Sequence, residues 1–319
     1  MNNLYLSVYN FKIRAIDTLV LPPYKGSTLR GGFGHAFKKV VCVVRNTECR
    51  DCSLFQRCVY TYVFETVAPA ESPVGGRYQD APHPFILNPP LEEKRVYEKG
   101  EVLSFQLVLV GRGNDYLPYF VFTFDELGRR GIGKGKGRYK LDSVSIINSS
   151  QNDEIVYSGV DQKLKTIERP ISFNEGVGVD GKKCDSLTVR FLSPTRLKAE
   201  GRLVSDRLEF VQFIKALLER LQLLSHFHCG GSIKDLSGYI KRAGDVIVEN
   251  SSLLWYDWER YSNRKGRMKL GGFKGTVTYK GDISEFVHYI NVGKYLNIGK
   301  GTVFGLGRYG IEWKEESGK

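Results

Sequence analysis

Alternation of apolar and polar positions along the chain predicts that most of its regular structure is β-strand. Three segments show period-two alternation, which places every second side chain on the same face of a sheet: Phe11–Ala15, Leu103–Leu109 and Leu187–Phe191. Two stretches have helical spacing instead, one with Leu29, Phe33, Phe37 and Val40, the other with Phe210, Ile214, Leu217, Leu221 and Leu224. Strands and helices that do not alternate strictly favour an α+β fold, with antiparallel sheets covered by helices on one face.

Three landmarks occur twice along the chain. They are a strand that ends at a proline, a loop of glycines around a lysine, and an Arg-Tyr pair that follows this loop. The members of each pair are 166 to 172 residues apart: Pro22 and Pro194, Gly133 and Gly299, Tyr139 and Tyr309. Such similar spacings indicate a duplicated unit. We therefore predict domains at residues 1–147 and 186–319, joined by a region with two turn-rich stretches, Asn148–Asp153 and Gly176–Lys183.

The distribution of charge points to a polyanionic partner. The net charge of the 319 residues is +12, and 21 of the 47 Lys and Arg fall in four stretches that contain no Asp or Glu. These stretches are Thr18–Thr47, Leu127–Leu141, Arg260–Lys280 and Gly293–Ile311. Segregated cations displace counterions from phosphates, which gives affinity for nucleic acid without regard to its sequence. The alternative is a basic surface that is merely solvated.

The apolar segments exclude several other classes of protein. Runs such as Val102–Val110 and Tyr116–Phe124 are far shorter than the roughly 20 residues that cross a bilayer. Lys12, Arg14 and Asp17 interrupt any apolar signal segment at the N-terminus. We therefore expect a cytoplasmic protein with no membrane partner.

Four of the six cysteines lie close together, as Cys42, Cys49, Cys52 and Cys58. In the cytoplasm thiols or metal ligands are more common than disulfides. Four thiolates suit a structural zinc ion or an iron–sulfur cluster, although this spacing matches no standard zinc ribbon. A closed four-thiolate site has no open position, so we predict no catalytic role for such a metal. Unligated buried cysteines are the alternative.

Both glycine loops suit phosphate binding. One is Gly131–Gly137, and the other is Gly299–Gly307 around Lys300. Glycine lets the backbone approach a ligand closely, and exposed N–H groups beside lysine attract anions. Neither loop is a Walker motif, since the Gly-Lys-Ser/Thr end is missing. A tight turn that only needs glycine is the alternative for each loop taken singly.

Four segments resemble a known family. Leu296–Gly307 is similar to the C-terminal glycine-rich motif of the RAMP superfamily of CRISPR proteins. Thr28–His35 and Asp257–Ser262, with Gly271–Phe273, resemble the branch that processes precursor CRISPR RNA, the "Cas-six" endoribonucleases of antiviral defence. The resemblance implies two tandem ferredoxin-like (RRM-like) domains, the first with a cysteine-containing insertion. It also implies cleavage of repeat RNA to 2′,3′-cyclic phosphate and 5′-hydroxyl ends.

Metal-independent RNA cleavage needs a base, a cation and a proton donor. If residues 28–42 form a helix, His35 lies away from the apolar stripe and shares a face with Lys38 and Lys39. We expect these ammonium groups to favour the neutral imidazole that a base requires. The resemblance implies a catalytic histidine on the first helix, with Tyr24 and Lys38 (or Lys39) assisting. His226 and His228 are the rival pair, with capping of a helix C-terminus as their predicted role.

The predicted RNA-binding residues are drawn from the basic stretches and the C-terminal loop. They are Arg30, Lys39, Arg129, Arg130, Lys134, Lys136, Arg138, Arg260, Arg264, Lys265, Arg267, Lys269, Gly299, Lys300, Gly301 and Arg308. Trp255 and Trp258, which precede part of this set, are predicted to pack in the core. The predicted function is a metal-independent endoribonuclease that acts on CRISPR repeat RNA, as a monomer or homodimer, with CRISPR effector proteins as candidate partners. The alternatives are a non-cutting RNA-binding RAMP subunit of an effector complex, and an iron–sulfur redox protein.

Overall fold

A computed structural model describes residues 3–67, 81–147, 153–165, 171–173, 184–199, 201–262 and 266–314. The chain forms two units. The N-terminal unit comprises Asn3–Ser172 with Leu223–Gly231, and the C-terminal unit comprises Phe173–Gln222 with Ser232–Lys319. Both turn-rich stretches predicted between the domains fall largely outside the described residues. Among the described helices, none is long and apolar enough to cross a membrane.

The N-terminal unit is built around one antiparallel sheet. Its elements are β1 (Leu4–Ala15), β2 (Leu19–Val20), α1 (Gly26–Val41), β3 (Phe85–Asn88), β4 (Val96–Tyr97), β5 (Val102–Val110), α2 (Leu117–Arg130), β6 (Tyr139–Ile147), β7 (Asp153–Ser158), β8 (Lys163–Leu164) and β9 (Ile171–Phe173). The sheet order is β3-β5-β1-β6-β7-β8, and β2 pairs separately with β4. The series β1-α1-β3-β5-α2-β6 with this order is the ferredoxin-like arrangement.

Aromatic side chains fill the space between this sheet and its helices. On β1, Phe11 pairs in register with Phe105 of β5, and their ring centroids are 5.3 Å apart. From α1, the ring of Phe33 stacks on Phe120 and Phe124 of α2, at 4.7 and 5.2 Å. Phe37 is also fully buried. Apolar residues at helical spacing on α1 thus form its core face, as the pattern predicted.

The C-terminal unit repeats this arrangement. Its elements are β10 (Ser186–Thr195), β11 (Lys198–Ala199), β12 (Arg202–Leu203), α3 (Phe210–Cys229), α4 (Ser237–Ala243), β13 (Ile247–Ser251), β14 (Leu254–Ser262), β15 (Gly266–Lys280), α5 (Val287–Leu296) and β16 (Tyr309–Lys314). The sheet order is β13-β15-β10-β16, with β14 on β15. Thus the two domains are both ferredoxin-like, and the predicted fold class is confirmed.

In each unit a buried tyrosine at the start of a strand ties that strand to the helix before it, Tyr139 of β6 to α2 and Tyr309 of β16 to α5. The Tyr139 hydroxyl donates to the Phe124 carbonyl, and the Tyr309 hydroxyl donates to the Ile290 carbonyl, each at 2.8 Å. Burial raises the pKa of both phenols well above the usual range, so both remain donors. The spacing of the two tyrosines in the sequence therefore corresponds to the same tertiary contact made twice.

Candidate nucleic-acid interface

Helix α1 presents His35 on its solvent side. His35 and Lys39 are exposed, and Lys38 is half-buried. The two lysines follow His35 by three and four residues, so they neighbour it on the helix surface. Gly31 lies one turn earlier, and a Cβ at that position would meet no atom within 4 Å. A substrate can therefore approach the imidazole beside Gly31, while the catalytic role of His35 stays a prediction.

Aromatic rings from the segment after α1 hold two of its cations. The Arg30 guanidinium lies 4.1 Å from the centroid of the Phe64 ring, and the Lys38 ammonium lies 5.4 Å from that of Tyr60. Gly34 lies beneath Phe64, where a Cβ would overlap the ring. Cation–π attraction thus restrains the Lys38 ammonium over the Tyr60 ring. Neither ring was predicted from the sequence, because both follow the helix by more than 15 residues.

The residues before α1 anchor the start of the helix. Lys25 is fully buried, and its ammonium donates to the Pro23 carbonyl at 3.2 Å and the Glu92 carbonyl at 2.8 Å. Burial lowers the pKa of Lys25, and the charge of Glu92 opposes this effect. Tyr24 is half-buried beside it. Because an α-helix rises 1.5 Å per residue, His35 lies about 13 Å along the axis from the start of α1. Tyr24 precedes this start, so its assisting role stays a prediction.

The rival histidines differ from each other in environment. His228 is 3% exposed, with Nε2 2.6 Å from the Pro82 carbonyl and Nδ1 3.1 Å from the Tyr62 hydroxyl. A carbonyl only accepts hydrogen bonds, so Nε2 carries a proton. The predicted capping role is wrong for His228, because both ring nitrogens bond outside the helix. His226 is half-buried, and its Nδ1 lies 3.0 Å from the Gly231 carbonyl just past the end of α3.

The four clustered cysteines follow α1 in an irregular insertion. Cys42, Cys49, Cys52 and Cys58 are free thiols of intermediate exposure. Within the described ranges, no group of three or more His, Cys, Asp or Glu side chains is arranged so that it could hold a metal ion. The alternative was unligated buried cysteines. The free thiols agree with it, but their exposure does not, since none of the four is fully buried. A structural zinc or iron–sulfur cluster stays a prediction.

The two glycine loops are closed by equivalent hydrogen bonds. The Ile132 N–H donates to the Gly137 carbonyl, and the Ile298 N–H donates to the Gly307 carbonyl, each at 2.9 Å. Gly307 has φ +75°, and a Cβ there would overlap the Ile298 carbonyl. Because an L-residue is strained at this φ, the C-terminal loop requires glycine at its last position.

Each loop is also tethered to the segment after the first strand of its unit. The Lys134 N–H donates to the Val20 carbonyl, and the Lys300 N–H donates to the Arg196 carbonyl, each at 2.9 Å. Arg196 thus occupies the position that Val20 has in the other unit. Its buried Nε–H has no hydrogen-bond partner among the described residues. A guanidinium with an unused donor beside a glycine loop suits a phosphate. Arg196 was not predicted from the sequence, because it lies outside the acid-free stretches.

The predicted RNA-binding cations differ in whether an acid neutralises them. Arg129 lies 2.9 Å from Asp125, and Arg138 lies 2.8 Å from Asp17. The hydrogen bond from Arg138 lowers the pKa of Asp17. Arg130 reaches Glu126 at 3.9 Å. Other predicted cations are exposed and form no ion pair within the part of the chain that the structure describes: Lys39, Lys134, Lys136 and Lys300. Arg308 is half-buried, next to the C-terminal loop.

The long hairpin of β14 and β15 carries the last group of predicted cations. Arg260, Arg267 and Lys269 lie on its strands, whereas Arg264 and Lys265 are outside the described residues.

Two tryptophans predicted to be in the core lie on β14 of the same hairpin. Trp255 is 40% exposed. Its predicted place in the core is wrong, because Leu254, Trp255 and Asp257 of β14 are all exposed. Trp258 pairs in register with Leu270 of β15, and its burial stays a prediction.

Two family models match this chain. Residues 4–169 match a model described as an N-terminal domain. Residues 189–309 match the model of the CRISPR-associated endoribonuclease Cas6. An uncharacterized protein of Archaeoglobus fulgidus is 24% identical over 300 residues, which are 91% of this chain and 92% of that protein.

Solved structures share the fold at low identity. A Cas6 structure described as a product complex is 16% identical, with a TM-score of 0.56, and the match covers 97% of this chain and 99% of that one. A chain of a partial Cas6-RT-Cas1–Cas2 complex is 11% identical with a TM-score of 0.58. That match covers all of this chain, which spans about half (48%) of the length of that larger chain.

Proposed function

We propose that this chain is a CRISPR-associated endoribonuclease of the Cas6 type that cuts precursor CRISPR RNA within the repeats without a metal ion, because residues 189–309 match the model of that family. One observation carries the proposal. An accessible imidazole, His35, shares the solvent side of α1 with the Lys38 and Lys39 ammonium groups. General-base catalysis and stabilisation of phosphate charge can therefore come from one helix.

The reaction is an attack by a ribose 2′-hydroxyl on the neighbouring phosphorus. His35 accepts the 2′-hydroxyl proton, and the new P–O bond forms as the bond to the 5′-oxygen breaks. Lys38, held over the Tyr60 ring, stabilises the extra negative charge on the phosphorane. The departing 5′-oxygen takes a proton from water. Tyr24 is proposed to assist, although it precedes α1, whose start lies about 13 Å from His35 along the helix axis. The products are a 2′,3′-cyclic phosphate and a 5′-hydroxyl.

We propose that the glycine loops hold the RNA backbone. Lys300 is exposed on the C-terminal loop, and Arg196 lies beneath it with an unused Nε–H. Lys134 and Lys136 are exposed on the N-terminal loop. Lysine and arginine side chains of this kind bind phosphates without reading the base sequence. Repeat RNA is therefore the proposed partner, and CRISPR effector proteins are proposed as further partners.

The alternative is an RNA-binding subunit that does not cut, because this function requires the same fold and the same cations but no base. Synthetic repeat RNA from the CRISPR array of the source organism separates the two functions when it is incubated with the protein in EDTA. Wild-type protein is expected to cut it, leaving ends that resist 3′-tailing until the cyclic phosphate is opened and the resulting phosphate is removed. His35→Ala is expected to lower the rate about 10²–10⁴-fold while RNA affinity stays within about twofold of wild type.

The matched control is His226→Ala, because His226 is also partly accessible but lies on α3. This variant is expected to cut at the wild-type rate. Intact RNA after incubation with the wild-type protein would support the non-cutting subunit. Normal cutting by His35→Ala would remove His35 from the mechanism.

A further inference from the structure

Trp255 has an exposed ring in a fixed orientation. Its side chain is 40% exposed on β14. The indole Nε1–H donates to Asp257 Oδ1 at 2.8 Å. The two residues are separated by one position on a strand, so they lie on the same face. The hydrogen bond therefore restrains the ring and satisfies its polar atom.

The neighbouring strand supplies a flat support for this ring. Gly271 of β15 pairs in register with Asp257. A Cβ at Gly271 would lie 2.5 Å from Cε2 of Trp255 and 2.6 Å from Asp257 Oδ1. Any larger residue would displace the ring, because both neighbouring atoms are closer than a carbon can approach. One face of the indole thus rests on bare backbone, and the ring stays partly open to solvent.

The hairpin that carries the ring has an excess of basic residues in its sequence, which favours a polyanion as the ligand. Residues 254–274 contain six Lys or Arg and two Asp or Glu. Lys274 lies on the opposite face of the hairpin, with its ammonium 5.4 Å from the Tyr256 ring centroid. Leu254, the residue before Trp255, is also strongly exposed, at 76%. One fixed ring in a basic hairpin suits a planar base attached to a phosphate backbone better than an apolar protein surface.

We propose that Trp255 is a stacking platform for one unpaired base of the bound RNA. The proposal rests on the proposed function, since it requires that the protein binds repeat RNA. It adds a contact that depends on the base being present and unpaired. Stacking of this kind tolerates different bases, and it contributes about 1–3 kcal/mol for each base.

Affinities of a synthetic repeat RNA for cleavage-inactive His35→Ala protein test the platform. Adding Trp255→Leu is expected to weaken binding about 5–150-fold, the range that corresponds to this stacking energy. Trp255→Phe is expected to retain most of the affinity. The slope of log affinity against log salt is expected to stay the same, because no phosphate contact is lost. Leu254→Ala is the matched control, and its affinity is expected to stay within about twofold.

A series of repeat RNAs, each with one abasic nucleotide, identifies the base. With Trp255 present, one unpaired position is expected to lose affinity when its base is removed. In the Trp255→Leu protein, that same position is expected to become insensitive. Gly271→Ala, which displaces the ring without removing it, is expected to reproduce this insensitivity, and thermal unfolding checks that each variant folds.

Unchanged affinity in folded Trp255→Leu overturns the platform. The platform is also overturned if Trp255→Leu loses the same affinity for every abasic RNA. The ring would then stabilise the protein rather than contact one base. Failure of the wild-type protein to bind or cut any repeat RNA is a different result, because it rejects the proposed function itself.

Discussion

The two glycine loops share their backbone hydrogen bonds but differ in size and in side-chain chemistry. Between the tethered lysine and the closing glycine, the C-terminal loop has four more residues than the N-terminal one. The added length includes a short helical turn, Thr302–Phe304, which is mostly buried. The N-terminal loop instead exposes Lys134, Gly135 and Lys136 at its tip. A duplicated scaffold thus carries a compact, packed loop in one unit and an open basic loop in the other.

The residue beneath each loop differs as well. Val20 and Arg196 accept the same backbone hydrogen bond, from Lys134 and Lys300 respectively. Only the C-terminal unit therefore has a guanidinium at this position. The backbone geometry of each loop therefore does not depend on the side chain beneath it, because main-chain hydrogen bonds hold the loop. The side chain at that position can change the ligand that the loop binds without changing the loop.

The largest expected effect is on folding of the C-terminal loop. Gly307→Ala is expected to destabilise the protein by about 2–5 kcal/mol, because alanine is strained at this φ and its Cβ overlaps a carbonyl. Gly135→Ala in the N-terminal loop is the matched variant, since a Cβ there meets nothing within 4 Å at φ +81°. It is expected to cost only about 1–2 kcal/mol. Denaturant unfolding measures both, and equal losses would contradict the structural difference between the loops.

The next effect is on RNA affinity through the residue beneath each loop. Arg196→Val makes the C-terminal unit resemble the N-terminal one, and it is expected to weaken binding by roughly 1.5–3 kcal/mol through loss of a charged hydrogen bond. The salt slope is expected to fall by about 1. Val20→Ala is the control and should change neither quantity. Titration of labelled repeat RNA at several salt concentrations measures the affinity and the salt slope. Wild-type values of both quantities in Arg196→Val would show that the guanidinium does not contact RNA.

The smallest expected effect is on RNA affinity in the N-terminal unit, where removing an exposed lysine is compared with removing an arginine that is paired with an acid. Lys134→Ala is expected to weaken RNA binding about two- to fivefold, and to reduce the salt slope by about 1, because its charge is free to meet a phosphate. Arg138→Ala is expected to change affinity less, since Asp17 already neutralises this guanidinium. Binding titrations compare the two variants. A larger loss for Arg138→Ala would mean that RNA displaces Asp17.

Sequence patterns predicted the elements of the fold well, because burial repeats with the period of the secondary structure. Alternation in β1 and helical spacing in α1 both mark core faces, and Phe11 and Phe33 are fully buried. The site was predicted less completely. The helical face of His35 follows from spacing within a single helix, whereas Tyr60 and Arg196 depend on contacts that the chain makes after folding.

The sequence by itself determined the duplication, the two domains' fold class and the excess of positive charge, since each is a local or summed property of the chain. Only the tertiary structure decided which cations are neutralised and, among the described residues, which polar atoms are left without partners. It also decided that the Trp255 ring lies over Gly271 in partial exposure. Ion pairs and ring contacts join residues from different strands and loops, and sequence spacing carries no information on how closely such residues approach.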